Sequence, residues 1–427
     1  MKRLLSVTAF SGLLTLMRMG AGFIVAKVIA VYTGPSGLAM LGQLQSVASS
    51  LTGIVNAPAA SGIVRYTAEF AGDGDAVCAN WWRAGVRWVG LILLILIPVI
   101  ALLSAPLSTF LFGNDEYYFL LIIMAFLLPF AAIGTLFNSI TNGKKKYKKF
   151  IAVGMISVIF STLLMIALIT YGHLEGALYA VAVQNGLIGI LVFLCYLKEP
   201  WLKRRNFIGK VKPEHMHSIL KYMLMALTTA ITLPVSLVLV RNILIQDVGW
   251  DAAGEWQAVW KISETYLAVI TIALSTYYLP KLSSVKDISI LKKEVFSTLQ
   301  IILPIAICMA AVVYLLRDVI IMMLFTDKFI NARELFSVQL CGDVIKIASW
   351  LMSYPMLARG DVKWYVFSEL FFSVIFIGFS FVFVKMLGVD GANISYLISY
   401  SLYFLLMCFY MNSLTKTKVN DFNDIKS

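Results

Sequence analysis

The chain has 427 residues, 60% of them hydrophobic and only 14% charged, with 35 Lys and Arg against 23 Asp and Glu for a net charge of +12. Soluble domains carry about 25% charged residues, so this composition excludes an ordinary water-soluble protein and makes lipid the main solvent. The positive excess does not point to nucleic acid, because twenty-six of the cations fall in short gaps between apolar runs, where they set topology and meet anionic headgroups.

A membrane span needs about 20 apolar residues. Twelve segments meet that length, near 5–31, 37–62, 84–111, 118–141, 150–171, 176–197, 218–245, 255–279, 297–324, 334–357, 364–387 and 391–413. The gaps alternate. Cations load the start (Lys2, Arg3), then Arg65–Arg87, Lys144–Lys149, Lys198–Lys221, Lys281–Lys293, Arg359 with Lys363, and the tail (Lys416, Lys418, Lys426). The gaps at 32–36, 113–117, 172–176, 247–255 and 388–390 have none, and 327–334 has only Lys328 and Arg333. By the positive-inside rule the loaded gaps and both termini are expected in the cytoplasm.

Span 1 begins like a signal peptide, but Arg18 interrupts the apolar run and hydrophobicity resumes to Val31 without a cleavage site, so it is expected to be retained. It holds Arg18 and Lys27, which lie about half a turn apart on a straight helix and face one cavity only if Gly20 and Gly22 let the span bend. Span 2 carries Gln43, Gln45 and Asn56, and span 6 carries Gln184 and Asn185. These amides suit sugar hydroxyls or hydrogen bonds between helices. Arg241 stands in span 7, Lys261 and Glu264 in span 8, Asp343 and Lys346 in span 10. An ionisable group at mid-span costs at least about 2.5–3.5 kcal/mol and needs a partner or a watery lumen. The i,i+3 spacing lets Lys261 pair with Glu264 and Asp343 with Lys346, whereas Arg18 has no local partner. Trp256, Trp260 and Tyr266 read either as sugar-stacking rings or, for the first two, as an interfacial belt. Pro58, Pro98, Pro129, Pro234, Pro304 and Pro355 interrupt spans and free backbone carbonyls.

The pattern repeats at an offset of about 215 residues: Gly172-His-Leu-Glu-Gly176-Ala177 matches Gly388-Val-Asp-Gly391-Ala392, Gly143-Lys-Lys-Lys-Tyr147 matches Gly360-Asp-Val-Lys-Trp364, and Gly34 matches Gly249. The expectation is an all-α membrane protein of twelve spans in two six-helix bundles, 1–205 and 206–427 with a short cytoplasmic tail, related by a parallel repeat around a central cavity. Alternating access follows from that geometry. A cation-rich lumen suits a phosphate or diphosphate cargo, with Arg18, Lys27, Arg241, Lys261 and Lys346 as anion contacts and Gln43 and Asn56 as sugar contacts. Glu264 and Asp343 lie deep enough to couple transport to an ion, while Asp318 and Glu369 lie nearer span ends and read as structural. The five cysteines show no CxxC and suggest neither disulfide nor metal, and no histidine constellation, HExxH or P-loop occurs. No loop is long enough for a soluble catalytic domain, so neither an enzyme nor a cofactor is expected.

The motifs also carry a family resemblance over nearly the whole chain. Gly20-Ala-Gly22 with Lys27, Gly34-Pro-Ser-Gly-Leu38, Leu224-Met-Ala-Leu227 with Thr232-Leu-Pro-Val235, Trp256-Gln257 with Ile262-Ser263, and Leu316-Arg-Asp318 followed by Gly342-Asp-Val344 resemble the Wzx-type polysaccharide-lipid flippases of the MOP superfamily, above all the enterobacterial common antigen branch. The resemblance implies a bacterial inner-membrane flippase whose cargo is an oligosaccharide on undecaprenyl diphosphate, carried from inner to outer leaflet and driven by protons or sodium ions. The polymerase and chain-length proteins of the same pathway are implied as further partners. An O-antigen repeat unit is the first expectation for the cargo and common antigen lipid the alternative. A drug or cation antiporter would want a carboxylate-rich lumen, a membrane polymerase a large external loop, and a peptidoglycan-precursor flippase additional spans.

Overall fold

The computed structural model describes residues 2–423 except 286, with side chains from Phe10 to Leu414 except those of 11, 221 and 276. The terminal cations Lys2, Arg3, Lys416, Lys418 and Lys426, together with Lys221 and Lys286, therefore lie outside the described side chains. No strand occurs among the described residues. The helices run α1 (Lys2–Asn56), α2 (Ser61–Glu69), α3 (Asp75–Phe112), α4 (Tyr118–Gly143), α5 (Tyr147–Tyr196), α6 (Arg204–Phe207), α7 (Pro213–Asp247), α8 (Trp250–Ala273), α9 (Leu279–Ser284), α10 (Ile288–Leu315), α11 (Arg317–Leu324), α12 (Ala332–Arg359), α13 (Val362–Leu387) and α14 (Asp390–Asn423).

Among the described residues nine helices are long and apolar enough to cross a membrane. Two of them carry more length than one crossing uses. At 1.5 Å per residue the 55 residues of α1 and the 50 of α5 would reach about 80 and 75 Å against about 30 Å of hydrocarbon. Both break in the middle. α1 turns at Gly34 (φ 67°, ψ −169°), a conformation that disfavours any side chain, and Pro35 sets the φ of the helix that restarts. α5 turns at His173 (φ 47°, ψ −124°). A Cβ on Gly176 would strike the carbonyl oxygen of Leu168 eight residues earlier, a pair about 12 Å apart in a straight helix, so the chain doubles back there.

The span expected near 255–279 is not among the nine. α8 is long enough, but Asp251, Glu255, Lys261 and Glu264 lower its hydropathy. It leads through a π-helical turn at Leu274–Tyr278 into α9, where Tyr278 donates to the Leu351 carbonyl at 3.2 Å. The span expected to end near 324 ends instead at Leu315, and the separate short α11 follows.

Positive-φ turns recur at one offset. Gly34 and Gly249, Lys145 and Gly360, and His173 and Gly388 all have φ between 47° and 99°, and each pair is 215 residues apart. Gly391 meets the carbonyl of Phe383 just as Gly176 meets that of Leu168.

The chain divides into two compact units, Met1–Val238 and Leu239–Ser427. The division falls inside α7, whereas the sequence suggests the loop near 205. In the first unit α4 and α5 approach through glycines. A Cβ on Gly134 would stand 2.9 Å from the Cα of Gly189, and one on Gly186 2.5 Å from Leu127, the small-residue packing that lets membrane helices meet closely. The loop 198–212 is anchored to this unit through Trp201 and Asn206, while its cations stay exposed. Trp201 is buried beside Trp82, Phe137, Tyr196 and Phe207. Arg83 and Arg87 donate to the carbonyls of Arg205 and Gly209, and Glu199 accepts from Lys146 and Lys149 at 2.7 and 2.6 Å. In the second unit α12 is the central helix, packed against α8, α9, α10 and α14.

Candidate functional site in the C-terminal unit

The most polar interior in the second unit surrounds Asp343, halfway along α12 and fully buried. Its carboxylate accepts from hydroxyls on two other helices: Ser263 Oγ at 2.6 Å and Tyr266 OH at 2.7 Å from α8, and Tyr396 OH at 2.7 Å from α14. Gln339, one turn earlier on α12, adds Nε2 at 3.4 Å. Burying an ionised carboxylate is tolerable only with such a set of donors. Gly342 makes the arrangement possible, since a Cβ there would stand 2.5 Å from the Tyr396 ring. The Gly342-Asp343 pair thus admits the ring and supplies the acceptor its hydroxyl reaches.

Lys346 lies three residues on and is also buried. Aromatic faces hold its ammonium: Trp350 at 4.8 Å, Trp260 at 5.4 Å, Tyr400 at 5.5 Å and Tyr396 at 5.7 Å. Ring quadrupoles substitute for part of its lost hydration. Neither the Asp343–Lys346 pair nor the Lys261–Glu264 pair closes into an ion pair within 4 Å among the described residues. Asp343 and Lys346 instead keep their own neutral partners, with Tyr396 touching both. A carboxylate in this setting can take up a proton, or exchange one partner for another, at a site away from bulk water.

Arg241 is buried too. It donates to Gln257 Oε1 at 2.6 Å and lies 5.8 Å from the Trp256 ring centroid, which gives the Trp256-Gln257 motif a physical role. Glu264 is exposed on α8, within electrostatic reach of Arg241 and Lys346, and Lys261 is half-buried. Trp256 and Trp260 are buried and packed on one another at 5.4 Å. They form neither an interfacial belt nor an open stacking platform.

In the first unit Arg18 is exposed, Lys27 and Asn56 are half-buried and Gln43 is buried. Asn185 donates to Thr52 at 3.1 Å, so this amide bridges two helices. Asp318 pairs with Arg333 at 3.6 Å near the surface. The structure thus gathers Asp343 and Lys346 in one interior and leaves Arg18, Lys261 and Glu264 accessible. Sequence reasoning missed Tyr396, Tyr400, Ser263, Gln339 and Trp350. A signal was present: Tyr396, Tyr400 and Tyr403 recur at helical spacing in an otherwise apolar span, with Asp343 as an interior acceptor. Among the described residues no group of three His, Cys, Asp or Glu side chains could hold a metal ion.

Comparison with known proteins gives a consistent set of relatives. The family described as "Polysaccharide biosynthesis protein" matches residues 84–334. The Lipid III flippases of Escherichia coli (strain K12) and Shigella flexneri are each 30% identical over 408 residues, covering 92% of this chain and 94% of theirs. Among solved structures, an inward-facing multidrug-resistance MATE transporter of the MOP superfamily superposes with TM-score 0.74 at 16% identity, covering 94% of this chain and 99% of that one. Lipid II flippase MurJ in an inward closed conformation gives TM-score 0.74 at 16% identity, covering 95% and 87%. At these identities the solved structures speak for the fold alone.

Proposed function

This chain belongs to the polysaccharide biosynthesis protein family, and the relatives it matches are flippases; from that premise we propose that it is a flippase of the MOP superfamily and carries an undecaprenyl-diphosphate-linked oligosaccharide from the inner to the outer leaflet of a bacterial inner membrane. The observation that carries the reading is 30% identity to the Lipid III flippases along 92% of the chain. The proposed cargo glycan is an O-antigen repeat unit, because seven residues in ten differ from those relatives and the sugars are what distinguishes members of such a family. Their printed name supports a Lipid III-type cargo as the second reading. The twelve crossings are reached by counting both arms of α1 and of α5 and adding α8. The turns recurring 215 residues apart support two bundles built as a parallel repeat.

Arg18, exposed, and Lys261, half-buried, are the proposed contacts of an anionic diphosphate, with Lys27 a further candidate, while Arg241 and Lys346 are committed to partners inside their own unit. Asp343 is the proposed coupling group for a proton or sodium gradient, with Glu264 as the second candidate: the donors to Asp343 come from three helices, so a change in its protonation alters how α8, α12 and α14 hold together. The test is complementation of two strains, one lacking its O-antigen flippase and one lacking its Lipid III flippase, together with single variants in whichever strain is rescued. Rescue of the first is expected. Rescue of the second alone selects the second reading, and rescue of neither, with protein at normal level in the membrane, overturns both. In the rescued strain Arg18→Ala should abolish surface polysaccharide, and in reconstituted vesicles Asp343→Asn should remove the response to an imposed ion gradient. An unchanged response would dismiss Asp343 as the coupling group.

A further inference from the structure

A groove of about 510 Å³ runs between α10 and α12, walled by Ile307, Ala310 and Ala311 on one side and Leu340, Cys341 and Val344 on the other. It is almost wholly apolar. Small residues make it: two alanines face a cysteine where larger side chains would close the helices' outer surface. At the α11 end it continues into a second cavity of about 270 Å³, bounded by Arg317, Arg333 and Glu334, and Tyr314 and Ser337 line both. From Tyr314 to Ile307 the groove follows seven residues of helix, about 10 Å at 1.5 Å per residue. A charged mouth at the helix ends with an apolar channel running inward matches the depth profile of one lipid leaflet.

The charges at the mouth select among lipids. Arg333 is engaged by Asp318 at 3.6 Å, which removes that pair from account. Arg317 lies over the Tyr314 ring at 4.1 Å, has no carboxylate within ion-pairing distance among the described residues, and its Nε is buried without a hydrogen-bond partner. Glu334 likewise has no ion-pair partner among the described residues. What remains is one guanidinium and one carboxylate facing the same cavity. A guanidinium fits a phosphate through paired N–H donors, and a carboxylate fits a primary ammonium that can donate to it. We propose that this groove is a binding site for an aminophospholipid of the surrounding bilayer, with its phosphate on Arg317, its ammonium on Glu334 and an acyl chain along Ile307–Val344. The site is separate from the Asp343 interior and does not depend on what the protein transports.

The test is native mass spectrometry of the full chain, purified in detergent and titrated with phosphatidylethanolamine, phosphatidylglycerol and phosphatidylcholine of identical acyl chains. The wild type should retain phosphatidylethanolamine at about tenfold lower lipid concentration than the other two, the equivalent of one charge-assisted hydrogen bond. Phosphatidylglycerol lacks the ammonium, and phosphatidylcholine lacks its N–H donors. Glu334→Gln should erase the preference for phosphatidylethanolamine over phosphatidylglycerol, and Arg317→Gln should weaken all three. Cys341→Trp should block the chain channel and lower retention whatever the headgroup. Glu334→Gln is nearly isosteric and both glutamine variants sit at positions that are not buried, so they carry the test even if the tryptophan variant fails to fold. Equal retention of the three lipids, a preference for phosphatidylglycerol, or a phosphatidylethanolamine preference unchanged in both glutamine variants would overturn the site.

Discussion

A single missing side chain organises the interior of the second unit. Because a Cβ on Gly342 would lie 2.5 Å from the Tyr396 ring, and the Cα of Leu397 is only 3.5 Å away, α14 cannot easily step back to make room. Gly342→Ala should therefore push the ring off Asp343 and loosen the α12–α14 contact. The expected cost is about 1–3 kcal/mol for the overpacking, with the weakened Tyr396 hydrogen bond adding about 1 kcal/mol. Tyr396→Phe removes that hydrogen bond alone and should cost less. Melting temperatures of the two purified variants check this, and a Gly342→Ala protein as stable as the wild type would show that α14 has freedom its packing does not suggest. At this scale the sequence was legible in part. Asp343 and Lys346 stood out because charge in an apolar run is conspicuous, but the side chains that satisfy them are hydroxyls and rings, which in a membrane span look like ordinary packing. Which partner a buried charge takes depends on helices 50 to 80 residues away, and no local spacing encodes it.

Among the elements, the turns were the most legible and the loop before α7 the least. Gly34-Pro35 and Gly388 announce breaks because glycine tolerates positive φ and proline restarts a helix, and the structure breaks there. α8 was read as a span, and its four charges leave it outside the nine clear candidates. The cation-loaded gap Lys198–Lys221 shows no packing signal in the sequence, yet it inserts Trp201 and Phe207 among Trp82 and Phe137, and its path follows from long-range clamps invisible in a one-dimensional pattern. One clamp makes a pH prediction. Burial by itself would raise the Glu199 carboxyl, but the ammonium groups of Lys146 and Lys149 outweigh burial and hold it below its ordinary value of 4.5. A carboxyl lowered in the folded state stabilises the fold above its unfolded value and loses that contribution as pH falls through the lower folded value. The melting temperature of the wild type should then drop below about pH 4.5, on the scale of a free carboxyl. Glu199→Gln should be less stable at pH 7 and show a shallower acid limb. If wild type and variant run parallel from pH 7 to pH 3, the clamp contributes nothing.

For the whole molecule, orientation is the property read most directly from charge. Seven loaded segments alternate with gaps nearly free of cations, and the work of moving a cluster such as Lys144–Lys149 across the hydrocarbon is expected to hold it on the side of synthesis. The turn at Gly34 is followed by Ser36, Glu116 lies between α3 and α4, and Asp390 begins α14. All three fall in cation-poor gaps. Lys145 lies in the loaded turn between α4 and α5. Cys308 and Cys341 are exposed, so the measurement needs a background in which all five cysteines are replaced. In that background, cysteines placed singly at Ser36, Glu116 and Asp390 should react with a membrane-impermeant maleimide added to cells whose outer membrane has been permeabilised, and one at Lys145 should react only after the inner membrane is opened. Because Ser36 and Lys145 are separated by three successive crossings, the second arm of α1, α3 and α4, if α1 folds back at Gly34, the odd number places them on opposite sides. Labelling of both from the same side would mean that α1 crosses once only, and both the count of twelve and the cytoplasmic placement of the termini would have to be abandoned.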